Sequence, residues 1–176
     1  MALADNEPGQ GGRRLALMRH AKAEGYEKPD LQRELADRGV RDAEATGQWF
    51  AELGLVPDGA LVSSAARTLE TWSGVAEAAG WTCDPEVSQA LYAAGPEAAL
   101  DIIRATDDAV RTLVVIGHNP TMAYLAQVLD NGEADLSNEM AVGFPTSAVA
   151  VFELDGGWAA LEEGECRLVG FHTPRG

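Results

Sequence analysis

Arg19 and His20 close the apolar run Leu15-Ala16-Leu17-Met18, and a second histidine, His118, closes another, Thr112-Leu113-Val114-Val115-Ile116-Gly117. Between them Ala60-Leu61-Val62-Ser63-Ser64 leads into Ala65-Ala66-Arg67-Thr68-Leu69-Glu70-Thr71, which brings one more arginine. These residue types suit one task. A guanidinium presents a planar fork of donors that fits the non-bridging oxygens of a phosphoryl group better than the point charge of an ammonium. A neutral imidazole, oriented by a hydrogen bond through one ring nitrogen, is a competent nucleophile through the other. A further imidazole can bind the same oxygens, and if protonated it adds positive charge where the transition state concentrates negative charge. Such a set can bind and transfer a phosphoryl group.

Side chains so far apart in the chain meet only if the elements that carry them end at one edge. Each apolar run reads as an interior strand, and the segments that follow have helical periodicity. Ala36, Val40, Ala43, Gly47, Phe50 and Leu53 recur at helical spacing, as do Leu69, Trp72, Val75 and Ala79 in the Arg67 segment. Asn119-Pro120 predicts an N-cap with proline at the first helical position, so that a helix over 121–126 starts directly after His118 with free amides toward the pocket. Asn119 therefore joins Arg19, Arg67 and His118 in the expected phosphate-binding set. Ser64 is the expected cap of the Arg67 helix, placing that arginine in its first turn. Glu97 falls in the first turn of a helix running to Arg104, where the helix dipole alone explains a carboxylate. Strands alternating with helices predict an α/β three-layer sandwich, a mainly parallel sheet covered on both faces, with ligands bound beyond the carboxyl ends of the strands. Ala148-Val149-Ala150-Val151-Phe152 and Trp158-Ala159-Ala160-Leu161, on either side of Asp155-Gly156-Gly157, predict a C-terminal antiparallel hairpin.

With Arg19-His20 after the first strand, Ser63-x-x-x-Arg67-Thr68-x-x-Thr71 in the middle and Gly117-His118 late, the chain resembles the histidine phosphatase superfamily, with its phosphoglycerate mutase-like fold. Met18-Arg19-His20-Ala21-Lys22, Gly117-His118-Asn119-Pro120 and the short chain look most like the SixA-type phosphohistidine phosphatase branch. The resemblance covers about 15–152. It implies a phosphatase with His20 as the nucleophile, a phospho-His20 intermediate, Arg19, Arg67 and His118 on the phosphoryl oxygens, and a phosphohistidine-containing protein as substrate. Asp30-Leu31-Gln32-Arg33-Glu34-Leu35 is similar to a loop of that branch, with Glu34 where proline is usual and Ala36 where Thr or Ser is common, so the frame of the substrate is expected to differ in shape. Superfamily members that act on oxygen esters place an acid in the segment after the arginine helix. Here that segment reads Gln89-Ala90-Leu91-Tyr92-Ala93-Ala94-Gly95-Pro96-Glu97, with Glu97 the nearest carboxylate and Asp30 a candidate from elsewhere. An alkoxide must gain a proton as it leaves, whereas an imidazole can already hold one near neutral pH, so the missing acid favours a P–N substrate. A phosphatase for small phosphate esters such as sugar phosphates, and a non-catalytic phosphohistidine-binding module, stand as the alternatives; short loops disfavour a mutase.

The chain has 176 residues, 46% of them hydrophobic, enough for one globular domain over 13–176 with a real core. Residues 1–12 are polar and Gly-rich with no apolar core of a signal peptide, and read as a flexible lead. No apolar run approaches a membrane span. Cys83 and Cys166 have neither redox-motif nor metal-ligand spacing, so a cytoplasmic, reduced protein without metal or cofactor is expected. A net charge of −15, spread along the chain, disfavours nucleic acid and anionic membrane as partners and predicts a monomer whose pocket is a positive island in a negative field. Lys22 and Glu24 read as ordinary loop charges, and the third histidine, His172, as structural or exposed.

Overall fold

In the computed structural model, which describes residues 12–174, Leu15, Ala16, Leu17 and Met18 are all fully buried. A strand that is apolar on both faces must be covered on both, and the chain supplies a helical layer for each side of a six-stranded sheet. The elements are β1 (Arg13–Arg19), α1 (Asp37–Leu53), β2 (Gly59–Ser63), α2 (Ala66–Ala79), β3 (Glu86–Ser88), α3 (Gln89–Ala93), α4 (Pro96–Arg104), β4 (Thr112–Gly117), α5 (Thr121–Leu129), α6 (Leu136–Val142), β5 (Val149–Leu154) and β6 (Arg167–His172). Short 3-10 turns lie at Asp30–Gln32 and Trp158–Ala160. The sheet order is β3-β2-β4-β1-β5-β6. The first four in that order are parallel to one another, and β5 runs antiparallel to both β1 and β6. The expected flexible lead lies outside the described residues except for Gly12. Among the described residues no helix is long and apolar enough to cross a membrane.

The period-two alternation of β1 sorts its side chains between two cores. Leu15 and Leu17 pack with residues of α3 to α6 and with Phe152 and Trp158. Ala16 and Met18 pack with Phe50 of α1, Trp72 of α2 and Trp81. The two helices of this second layer approach closely at Gly47, where a Cβ would lie 2.5 Å from the Val75 carbonyl oxygen. Four of the six residues expected on the buried face of α1, namely Ala43, Gly47, Phe50 and Leu53, are buried. Val40 is not. The stripe passes through Gly39 instead, because the Lys22 carbonyl rests there, 2.1 Å from where a Cβ would be.

The C-terminal antiparallel pair is present, but its second strand is Arg167–His172 and not 158–161. Trp158 explains the difference. Its ring is fully buried and its Nε1 donates to the Val110 carbonyl (2.8 Å), so this segment plugs the base of the sheet as a 3-10 turn. Sequence periodicity also missed β3, α3 and α6, each of seven residues or fewer. Ser88 caps α3 by accepting from the Leu91 amide (3.1 Å).

Candidate active site

The parallel register sets the site. Arg19 of β1 pairs with Gly117 of β4, so the next residues, His20 and His118, leave the sheet at the same level. The His20 amide donates to the Gly117 carbonyl (3.0 Å), and the two imidazoles lie 5.2 Å apart between ring centroids. Beside them β2 ends in the fully buried Ser63, and α2 begins at Ala66, which puts the buried Arg67 in its first turn as expected.

His20 Nδ1 lies 2.8 Å from the Ala21 carbonyl oxygen. A carbonyl only accepts, so Nδ1 carries the proton and Nε2 keeps its lone pair. Burial, reinforced by Arg67, Arg19 and Arg33, pushes the ring down to about 4, against a smaller upward effect of the Ala21 bond. It is therefore a neutral imidazole at neutral pH. The same logic fixes His118. Arg67 Nη2 lies 3.3 Å from its Nδ1 and can only donate, so Nδ1 accepts and Nε2–H donates to Ser63 Oγ at 2.7 Å. Burial, then Arg67, His20 and Arg19, lower His118 to about 3, with Asp30 opposing. At neutral pH His118 is therefore neutral, and the positive charge comes from the arginines.

Arg67 is held on three sides. Its Nη1 donates to the Asp30 carbonyl (2.6 Å) and its Nη2 to Asp30 Oδ2 (3.0 Å), besides the His118 contact. Arg19 donates through Nη1 to the Phe144 carbonyl (3.2 Å), and among the described residues it has no carboxylate partner. The loop after His20 is anchored to both helices of its layer. The Ala21 amide donates to Thr71 Oγ1 (3.0 Å), and the Ala36 amide donates to the Lys22 carbonyl (2.9 Å). Thr71 itself donates to the Arg67 carbonyl (2.6 Å), and Thr68 to that of Ser63 (2.7 Å), so every member of the Ser-x-x-x-Arg-Thr-x-x-Thr segment helps to hold the site.

Arg19, His20, Arg67 and His118 thus come together. Asn119 shares the Phe144 carbonyl with Arg19. Its Nδ2 donates to the Phe144 carbonyl (2.8 Å) and its Oδ1 accepts from the Ala123 amide (3.2 Å), so both ends of its side chain are engaged. α5 starts one residue later than expected, with Pro120 at the N-cap position. Two of the amides expected to be free are occupied, Met122 by the His118 carbonyl and Ala123 by Asn119. Nor does Ser64 cap α2: Ala65 occupies that position without a side-chain cap, and the Ser64 hydroxyl is buried without a partner. Lys22 and Glu24 are exposed. His172 is half-buried and stacks on Trp49 (4.9 Å, 13°), which bears out the structural reading.

Asp30 lies against Arg67 with both carboxylate oxygens engaged. Its Oδ2 accepts from Tyr92 (2.7 Å) and Arg67, and its Oδ1 from Arg33 (3.0 Å). The Tyr92 hydroxyl and then the two guanidiniums hold the carboxyl down at about 2. Glu97 is exposed in the first turn of α4. Sequence reasoning gave Tyr92 no role, yet its ring also meets His118 edge-on (5.6 Å, 85°). Only its place in the segment where an acid was sought pointed to it.

The family model of the histidine phosphatase superfamily (branch 1) matches residues 15–92. An uncharacterized protein of Mycobacterium tuberculosis is 37% identical over 164 residues, which cover 90% of this chain and 100% of the relative. Among solved structures, a provisionally named phosphohistidine phosphatase SixA from Agrobacterium tumefaciens is 31% identical, with a TM-score of 0.77 over 93% of this chain and 99% of its own. A second, so named from Nakamurella multipartitia, is 29% identical, with a TM-score of 0.82 over 93% and 97%. A phosphoglycerate mutase-like sheet, paired histidines at adjacent strand ends and likeness along nearly the whole chain give one answer: this is a phosphatase that belongs to the histidine phosphatase superfamily, in its SixA-type branch.

Proposed function

We propose that the protein is a phosphohistidine phosphatase that works through a covalent phospho-His20 intermediate and takes phosphohistidine on another protein as substrate. The observation that carries this reading is the bond from His20 Nδ1–H to the Ala21 carbonyl, which reserves Nε2 as an unprotonated nucleophile. In the first step Nε2 attacks phosphorus and the P–N bond to the substrate ring breaks. That ring departs as neutral imidazole, its distal nitrogen being protonated before the attack. Water then attacks the phosphorus, the bond to Nε2 breaks, and both protons of the water leave with inorganic phosphate. Arg19 and Arg67 hold the phosphoryl oxygens throughout.

The preference for a P–N bond rests on the carboxylates. Asp30 is kept ionised by Tyr92, Arg67 and Arg33 and has no proton to give an alkoxide at neutral pH. The provisional names of the two SixA relatives point the same way. The test is hydrolysis of a phosphohistidine-bearing protein beside a panel of small phosphate esters, by wild type and His20→Ala. His20-dependent cleavage that favours phosphohistidine is the expected result. Faster ester turnover would mean that a carboxylate serves as the acid, and binding without turnover of either would leave a recognition module.

A further inference from the structure

The contacts to Ser63 and Arg67 hold His118 in the tautomer that cannot serve a phosphoryl oxygen. Its Nε2–H points into the protein at Ser63 Oγ, a side chain with no exposure at all, so Nδ1, beside Arg67, is the atom left to meet a ligand. Nδ1 is an acceptor there, and an acceptor would repel a phosphoryl oxygen and compete with it for Arg67. To donate, Nδ1 must carry a proton. One route makes His118 an imidazolium, which burial and three neighbours, Arg67, His20 and Arg19, oppose and only Asp30 favours. Tyr92, whose ring edge faces His118, brings no charge of its own.

The other route needs no change of charge, and Ser63 supplies it. A serine hydroxyl is both donor and acceptor, and its hydrogen rotates to suit its partner. We propose that Ser63 is a positioning residue that lets His118 exchange its Nε2–H tautomer for the Nδ1–H tautomer when a phosphoryl group arrives, so that a neutral His118 donates to a phosphoryl oxygen. The Nε2 proton is lost to solvent, Nδ1 gains one, and Ser63 reverses its bond from accepting to donating while keeping its own proton. The ring stays neutral and the balance of protons is zero. Alanine in its place would strand Nε2 without a partner in either state, whereas threonine retains the hydroxyl. The proposal rests on the reading of this pocket as a phosphoryl site.

The test is NMR of the full-length protein carrying 15N-labelled histidine, titrated with inorganic phosphate at neutral pH, in which the shifts of both ring nitrogens count the protons on His118 itself. In wild type, His118 Nδ1 is expected to change from acceptor-like to protonated while Nε2 changes the opposite way, so that the ring itself gains no proton. Ser63→Ala is expected to lose this exchange and to bind phosphate at least tenfold more weakly, and Ser63→Thr to recover both. Two protonated nitrogens on His118, an unchanged His118, or full affinity in Ser63→Ala would each overturn the proposal. The wild-type titration decides the tautomer even if Ser63→Ala fails to fold. Failure of wild type to bind phosphate, together with turnover in His20→Ala, would overturn the pocket itself and not only the role of Ser63.

Discussion

Two neutral histidines beside two arginines make the site sensitive to acid in a particular direction. His20 and His118 are held down to about 4 and about 3, whereas in the unfolded chain each binds a proton from about 6.5 downward. Between those limits the unfolded state carries more protons, so stability present above pH 6.5 is lost as the pH falls toward 4. The shifts correspond to on the order of 3 kcal/mol for each ring. The urea midpoint of wild type should therefore drop between pH 7 and 4.5, and His118→Asn should flatten that drop; an equal slope in both would contradict the burial argument. Asp30 makes a second prediction. Its carboxylate competes with any phosphoryl group for Arg67 but is nearly half exposed, so its removal is worth about 1 kcal/mol. Asp30→Asn should bind inorganic phosphate roughly fivefold more tightly by calorimetry, and weaker binding would mean that the carboxylate chiefly orients Arg67. Sequence singled out His20, Arg19, Arg67 and His118 because each stands at the end of an apolar run or just inside a helix. It could not assign Tyr92, whose partner Asp30 lies 62 residues away and is met only through the fold.

Elements legible in the sequence are those whose pattern is long enough to overdetermine them. β1, β2 and β4 are apolar runs, and α1 and α2 keep their periodicity over 17 and 14 residues. β3, α3 and α6 have three, five and seven residues, too few for a period to declare itself, and their position depends on the layers they complete. The Trp158 segment alternates acceptably for a strand, but a buried indole that needs an acceptor took it out of the sheet. The contact that joins elements to site is Thr71. From the second turn of α2 it accepts from the Ala21 amide and donates to the Arg67 carbonyl, so one hydroxyl ties the nucleophile's loop to the arginine's helix. Thr71→Val keeps the shape and leaves the buried Ala21 amide unpaired, at a cost of about 1–3 kcal/mol. Thermal unfolding should show that loss. The kcat should fall about tenfold as the Ala21 carbonyl that orients His20 shifts, by analogy with other misplaced catalytic groups. Thr71→Ser should retain both, and if Thr71→Val kept the wild-type kcat, the loop would need no such anchor.

Across the whole molecule, charge opposes the site. The chain carries 28 Asp and Glu against 13 Lys and Arg, a net −15, while the pocket gathers Arg19, Arg67 and Arg33 around two neutral rings. Fields of this kind act on encounter rates over about a Debye length, roughly 10 Å at 0.1 M salt and about 30 Å at 0.01 M. A small dianionic phosphate meets the net negative surface before it meets the pocket. Its kcat/KM should rise as NaCl is raised from about 0.01 M to 0.15 M, by up to about tenfold where encounter limits the reaction. A phosphoprotein with a basic surface is attracted by that same field, so its kcat/KM should fall over the same range. Opposite salt slopes for the two substrates would tie discrimination to the acidic surface. If both slopes fell, the arginines of the pocket would dominate even at long range, and the surface carboxylates would be solvation alone.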